Sequence, residues 1–149
     1  MSKYPNDFLY GKEVPPLVIQ ENYVLTGKHQ GSVHVDKGEL IIQGELQGSL
    51  HIHQNSKTII SGKHQGSVHL ESGALLIILG QQQGSTHIAQ NGTLIIEQQG
   101  RLAGSTHNNG SIYLRGVFGG SRKGNGEFIV EGGIIKNPII KNGISYYEW

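Results

Sequence analysis

Short apolar runs in which β-branched residues dominate recur along most of this chain. Residues 40–42, 58–60, 75–78 and 93–96 are such runs, and each ends at or near a glycine. Polar groups such as 36–38 separate them and are typical of turns. Because β-branched residues favour strands, the pattern predicts many short β-strands joined by tight turns. Only the short terminal segments are candidates for helix.

A six-residue motif, Gly-x-x-x-Gly-Ser, returns six times along the chain. Its Gly-Ser pairs begin at 31, 48, 66, 84, 104 and 120, so successive copies are 17, 18, 18, 20 and 16 residues apart. A period near 18 residues is too short for a pair of helices and matches one winding of a β-solenoid. We therefore predict an all-β fold, a single-stranded β-solenoid of about six windings with packed terminal tails. Two irregularities interrupt the repeat: Gln98 and Gln99 form an insertion, and Asn108 takes an apolar place.

Side chains alternate between the two faces of a strand, so the apolar positions identify the face that forms the core. The predicted inward positions are Leu40/Ile42, Thr58/Ile60, Leu76/Ile78 and Ile112/Leu114, and then Val33/Val35, Leu50/Ile52, Val68/Leu70 and Thr86/Ile88. A third column of this parity lies between the motif glycines and consists of His29, Leu46, His64, Gln82, Leu102 and Phe118. A buried imidazole costs about 1–3 kcal/mol unless it is hydrogen-bonded, so we expect this column at a corner with access to solvent. The alternative is that the alternation flips between the glycines.

A column of the opposite parity is apolar and faces outward. It consists of Val24, Ile41, Ile59, Ile77, Ile95 and Tyr113. These residues would expose on the order of several hundred Å² of apolar surface, so we predict that a terminal tail or a protein partner covers them. The apolar segments 14–19 and 134–140 are the candidate tails. The single domain is thus divided into an N-terminal tail or cap (1–22), the solenoid (23–131) and a C-terminal tail or cap (132–149).

Composition and charge exclude several classes of function. The chain has 149 residues, which favours one domain, and its net charge of +1 argues against a nucleic-acid partner held mainly by charge. It has no Cys, so disulfides and thiolate metal sites are excluded. No apolar run reaches the roughly 20 residues of a membrane-spanning helix, and the first residues lack the pattern of a signal peptide. We therefore expect a cytoplasmic protein without a membrane span.

The glycine-punctuated repeat resembles the bactofilins, which are bacterial cytoskeletal proteins with a β-helical core. The matching stretch runs from 23 to 130 and is carried by segments such as 40–52, Leu-Ile-Ile-Gln-Gly-Glu-Leu-Gln-Gly-Ser-Leu-His-Ile. The resemblance implies a right-handed, roughly triangular coil with an unpaired strand edge at each end, through which copies stack into filaments. The chain departs from the family pattern in the polar residues between its glycines, in its foldable tails and in an additional histidine column.

Histidines that follow two residues after the motif serines are the only candidates for site chemistry. They are His34, His51, His69, His87 and His107, which share the outward parity and are predicted to stack from winding to winding. Adjacent imidazoles are candidate ligands for Zn²⁺ or Ni²⁺. A dedicated site usually has carboxylates as well, but Glu45 and Glu71 look isolated and His53 falls in a turn. We therefore predict a surface ladder rather than a metal site, and we expect acid to destabilise the fold because protonated neighbours repel one another.

We expect a protein with no catalytic activity and no cofactor. A motif serine and the histidine two residues later are about 6–7 Å apart, beyond hydrogen-bond reach, and no third, acidic residue recurs beside them. The predicted function is protein binding, as a bactofilin-like scaffold that associates with other copies through its coil ends or the outward apolar column. Two alternatives remain open: an immunity protein that forms a complex with a cognate toxin, and a phage or secreted structural rod.

Overall fold

The computed structural model of the chain describes residues 7–9, 12–14, 17–136, 139–141 and 144–146, with side chains from 17 to 136. All regular structure within these residues is β-strand. The first strands are β1 (Asp7–Leu9), β2 (Lys12–Val14), β3 (Leu17–Ile19), β4 (Tyr23–Leu25), β5 (Lys28–Gln30), β6 (Val33–Val35), β7 (Glu39–Ile42), β8 (Glu45–Gln47) and β9 (Leu50–Ile52). The middle strands are β10 (Lys57–Ile60), β11 (Lys63–Gln65), β12 (Val68–Leu70), β13 (Leu75–Ile78), β14 (Gln81–Gln83), β15 (Thr86–Ile88), β16 (Thr93–Ile96) and β17 (Arg101–Ala103). The last strands are β18 (Thr106–Asn108), β19 (Ser111–Leu114), β20 (Val117–Gly119), β21 (Arg122–Lys123), β22 (Glu127–Val130), β23 (Ile134–Lys136), β24 (Ile139–Lys141) and β25 (Ile144–Tyr146).

From β3 to β23, each strand pairs with the strand three places further along the chain. The chain therefore winds through three parallel sheets of seven strands each. The isoleucine sheet contains β4, β7, β10, β13, β16, β19 and β22. The glutamine sheet contains β5, β8, β11, β14, β17, β20 and β23, and the histidine sheet contains β3, β6, β9, β12, β15, β18 and β21. The hairpins β1–β2 and β24–β25 are antiparallel and form two-stranded sheets of their own. The predicted parallel β-solenoid is thus confirmed.

The coil is longer than the repeat motif predicts. Its first strand begins at Leu17 and its last ends at Lys136, whereas the sequence predicts a solenoid from 23 to 131. It has seven windings rather than six. The motif misses the last winding because β23 follows Gly133 but is not followed by a Gly-Ser pair. The packing of the predicted tails lies outside the described side chains.

The two glycines of the motif are needed for different reasons. The second glycine has a positive φ, as in Gly48 at 143°, a conformation that side chains rarely tolerate. The first glycine lacks a positive φ, but a Cβ atom on Gly62 would lie 2.1 Å from the carbonyl oxygen of Gly44 in the preceding winding. Both glycines therefore allow the backbones of successive windings to approach closely at the corners.

The core consists of the inward columns that the alternation predicts. Fully buried members from the middle of the coil are Leu40, Ile42, Leu50, Ile52, Thr58, Ile60, Val68, Leu76, Ile78 and Thr86. Each of these columns continues from winding to winding because the strands pair in register, as Leu40 does with Thr58. The core is therefore a stack of equivalent layers.

The column between the motif glycines also belongs to the core, so its predicted place at a solvent-accessible corner is wrong. The buried members are Leu46, His64, Gln82, Leu102 and Phe118, each with 0% exposure. Only His29, in the first winding, is partly exposed. The corner carbonyls explain why polar members are tolerated: His64 Nε2 lies 2.7 Å from Gly48 O, and Gln82 Nε2 donates to Gly66 O at 3.0 Å. His64 Nδ1 in turn contacts Gln82 Oε1.

The two irregularities of the repeat are accommodated locally. Residues 97–100 form a longer turn between β16 and β17, which a hydrogen bond from Gly100 N to Glu97 O closes at 2.8 Å. Asn108 is buried at an apolar position, where its Nδ2 donates to Glu127 O and its Oδ1 accepts from Gly110 N, both at 2.9 Å. The buried amide is therefore hydrogen-bonded at both ends.

Candidate functional site

The five predicted ladder histidines occupy the middle of successive strands of the histidine sheet, on its outward face. His34 is nevertheless buried at 8% exposure, whereas His51 and His69 are partly exposed and His87 and His107 are exposed. Register pairs His34 with His51, and then His69, His87, His107 and finally Lys123 follow one winding at a time. Ring centroids are 4.5, 4.8 and 5.0 Å apart along the first four rings, whose planes are within 6° of parallel. The last pair, His87 and His107, is 6.2 Å apart and tilted by 35°. The chain thus forms a stack of imidazoles along the coil axis.

The stacked rings are not arranged to chelate one metal ion between them. A ligating nitrogen holds Zn²⁺ in the plane of its own ring at about 2.0–2.1 Å. The planes of His51 and His69 are nearly parallel, with centroids 4.8 Å apart, so their lone pairs do not converge. Within 17–136, no group of three or more His, Asp or Glu side chains is placed to hold a metal ion.

A second cluster at one end of the ladder was missed by the sequence analysis. His53 Nδ1 contacts the carboxylate of Glu71, and His53 Nε2 lies 3.0 Å from Nδ1 of His34 and 3.8 Å from a carboxylate oxygen of Asp36. The rings of His34 and His53 lie edge to edge, since their nitrogens are 3.0 Å apart while their centroids are 5.3 Å apart and their planes differ by 8°. Glu71, His53 and His34 therefore form a hydrogen-bonded chain that joins the ladder.

The period of the repeat could have predicted this cluster, because residues one period apart lie next to each other in successive windings. Asp36, His53 and Glu71 are spaced by 17 and 18 residues, which is one winding per step. The expectation that Glu71 is isolated is therefore wrong, although His53 does lie in a turn, just after β9. Turn residues follow the same period as strand residues, so they form columns as well.

Burial favours the neutral form of two imidazoles, and a neighbouring histidine adds to this effect at one of them. Burial lowers the pKa of His69, and the nearby His87 lowers it further. Burial also lowers the pKa of the core residue His64, against the raising effect of its hydrogen bonds with Gly48 and Gln82. The folded protein therefore disfavours protonation at both places.

The outward apolar column also exists, but its members are less exposed than the sequence suggests. Val24, Ile41, Ile59, Ile77, Ile95 and Tyr113 follow one another in register on the isoleucine sheet. Val24 is 44% exposed, whereas the other five are partly buried. Their role in partner binding stays a prediction.

Large exposed apolar residues within 17–136 are confined to the two end windings. They are Tyr23 and Val24 in β4, Val130 in β22, and Ile134 and Ile135 in β23. Tyr23, Val130 and Ile135 continue columns that are buried in the interior of the coil, where their register partners are Leu40, Leu114 and Phe118. At each end of the described coil, side chains at core positions are therefore exposed, because no further winding packs against them.

The motif serines form a column beside the histidines. Ser67 Oγ donates to Ser49 Oγ at 3.2 Å, so these two hydroxyls bond along the column. The absence of catalysis stays a prediction of the sequence.

Comparisons of the chain with models of protein families, with curated proteins and with solved structures give no match. None of the residues described here lies in a helix long and apolar enough to cross a membrane.

Proposed function

We propose that this protein is a non-catalytic scaffold of the bactofilin type, which associates with other copies of itself through the ends of its coil. Among the described residues, the observation that carries the proposal is the combination of open sheet edges and exposed apolar core positions at both ends of the coil. Strands β3, β4 and β5 are the outer strands at one end, and β21, β22 and β23 are the outer strands at the other. The terminal hairpins pair within themselves and extend none of the three sheets.

Unpaired edges of this kind are templates for strand addition. An outer strand carries backbone N–H and C=O groups that favour pairing with another strand, and monomeric proteins usually protect them with charges, proline or a cover. Here β4 and β22 consist mostly of apolar residues, and β23 begins with Ile134 and Ile135. Pairing between copies would satisfy the backbone and bury these side chains together.

The isoleucine sheet also offers matching columns at its two ends. The columns that begin with Tyr23, Val24 and Leu25 end with Phe128, Ile129 and Val130. Stacking the last winding of one copy on the first winding of the next would place apolar residues against apolar residues in all three columns. The register that holds the coil together would thus continue across the junction.

Sedimentation velocity with two lysine variants separates end-to-end association from association through the side. Val130→Lys introduces a charge at an exposed end position, whereas Ile77→Lys introduces one in the middle of the outward apolar column. We expect the wild type and Ile77→Lys to form species that grow with concentration, and Val130→Lys to remain small. Circular dichroism serves as the control that both variants are folded.

The opposite pattern, in which Ile77→Lys alone abolishes association, would contradict association through the coil ends. A single small species for the wild type at all concentrations would contradict self-association altogether. That result would favour the binding of a different protein, as an immunity protein does.

A further inference from the structure

The outward face of the glutamine sheet carries a ladder of hydrogen-bonded amides. Gln30 Nε2 donates to Gln47 Oε1 at 3.0 Å, Gln47 Nε2 to Gln65 Oε1 at 3.3 Å, and Gln65 Nε2 to Gln83 Oε1 at 3.3 Å. We call these four residues the amide ladder. All three bonds have the same direction, so each amide group presents its NH₂ group to the following winding.

The amide ladder ends at Gln83 because the next residue in register is Ala103. The methyl group of alanine offers no acceptor to the NH₂ group of Gln83. The short side chain also leaves a small cavity of about 70 Å³, which is lined by Gln81, Gln82, Gln83, Arg101 and Ala103. The cavity is therefore bordered by Gln83, the last residue of the amide ladder, and by the cationic residue Arg101.

The charges around this cavity favour an anionic group. None of the described residues that line it carries a carboxylate, and Arg101 is exposed. Glu97, the acidic residue of the adjoining turn, is bound to Arg115 at 2.7 Å. The outward positions of the glutamine sheet carry Lys28, Glu45, Lys63, Arg101 and Lys136, which is an excess of positive charge.

We propose that the cavity at Ala103 is a binding site for a carboxylate side chain, Asp or Glu, of a protein partner. The carboxylate accepts hydrogen bonds from the NH₂ group of Gln83 and from the guanidinium of Arg101, and it takes the place of the missing fifth amide of the ladder. Bonds between a guanidinium and a carboxylate are charge-assisted and shorter than bonds between neutral groups. The site lies in the interior windings of the coil, so it is independent of association through the coil ends.

The test is an NMR titration of the full chain with two capped tripeptides, Gly-Glu-Gly and Gly-Gln-Gly. The signals followed are the side-chain NH₂ of Gln83 and the Nε–H of Arg101. We expect the Glu peptide to shift both signals saturably and the Gln peptide to bind about tenfold more weakly, since it lacks the charge. Equal binding of the two peptides, or shifts spread over Lys28 and Lys63 instead, would overturn the proposal.

Two variants make the test specific to the cavity. Ala103→Gln continues the amide ladder in register, fills the cavity and accepts the bond that Gln83 offers, so we expect it to abolish the shifts while the coil stays folded. Lys28→Gln removes a positive charge from the same face but far from the cavity, and we expect it to leave the shifts unchanged. Undiminished binding by Ala103→Gln would refute the site.

Discussion

His64 and Gln82 occupy two successive places in a core column whose other fully buried members are leucine and phenylalanine. Each polar side chain has a corner carbonyl as a partner, and the two side chains contact each other. A neutral imidazole has one N–H group, so it donates to only one of its two carbonyl partners, whereas a protonated imidazole donates to both. Burial nevertheless lowers the pKa of His64, because removing a charged ring from water costs more than the second bond returns.

Removal of one member of this pair is predicted to be costlier than removal of both. Gln82→Leu leaves His64 Nδ1 buried without its partner, and such a loss costs about 1–3 kcal/mol of unfolding free energy. The double variant His64→Leu/Gln82→Leu replaces both by the residue already found at Leu46 and Leu102, so we expect it to recover most of the wild-type stability. Denaturant unfolding of the two single variants and the double variant measures the coupling, and additive losses would show that the contact does not matter.

The lowered pKa values predict that acid destabilises the fold. His69 and His64 have folded-state pKa values below the ordinary value of 6.5, so the unfolded chain binds more protons. The stability is fully present above about pH 6.5 and is lost as the pH falls toward the folded-state values. We expect a lower melting temperature at pH 5.5 than at pH 8, and a smaller difference in His69→Gln, which keeps a polar side chain between His51 and His87. Identical melting at both pH values would contradict this account of the ladder.

At the scale of the structural elements, two copies of the motif show why its first residue, which precedes a strand of the glutamine sheet, is glycine. A Cβ atom on Gly44 would lie 2.0 Å from the carbonyl oxygen of Gly27, far inside contact distance. Gly27 has the same place in the first copy of the motif, yet a Cβ atom there would meet nothing within 4 Å. The requirement for glycine at the first position of the motif therefore comes from contact with the preceding winding.

This difference gives a matched pair of variants. Gly44→Ala is expected to destabilise the protein by more than about 3 kcal/mol, because backbone must move at a corner that two windings share. Gly27→Ala is expected to be neutral or to stabilise the coil by up to about 1 kcal/mol, through the lower entropy of the unfolded chain. Thermal unfolding measures the stability of the two variants. Similar losses of stability in both would mean that glycine is required for a reason other than contact between windings.

Sequence alone predicted the strands, their faces and the in-register stacking of His34 with His51, because equivalent residues recur once in each winding. It did not predict that His64 and Gln82 are buried, since their partners are main-chain carbonyls that no side-chain pattern reveals. It also missed the contact of His53 with Glu71, because both residues lie outside the strands, where the alternation of side chains does not apply. The repeat thus predicts apolar contacts better than polar ones.

On the scale of the whole molecule, the protein is a short rod built from seven equivalent windings. At a spacing of about 4.8 Å, the coil is roughly 34 Å long. The interior windings protect one another, and exposed core positions remain only at the two ends among the residues with described side chains. A further winding at either end would cover these exposed core positions, and a second copy stacked end to end would cover them in the same way.

Negative-stain electron microscopy of the wild-type chain at increasing concentration tests end-to-end association most directly. We expect unbranched filaments of constant width, many times longer than the roughly 34 Å of one coil, and we expect Val130→Lys to form none. Discrete particles of single-coil length at every concentration would contradict end-to-end association.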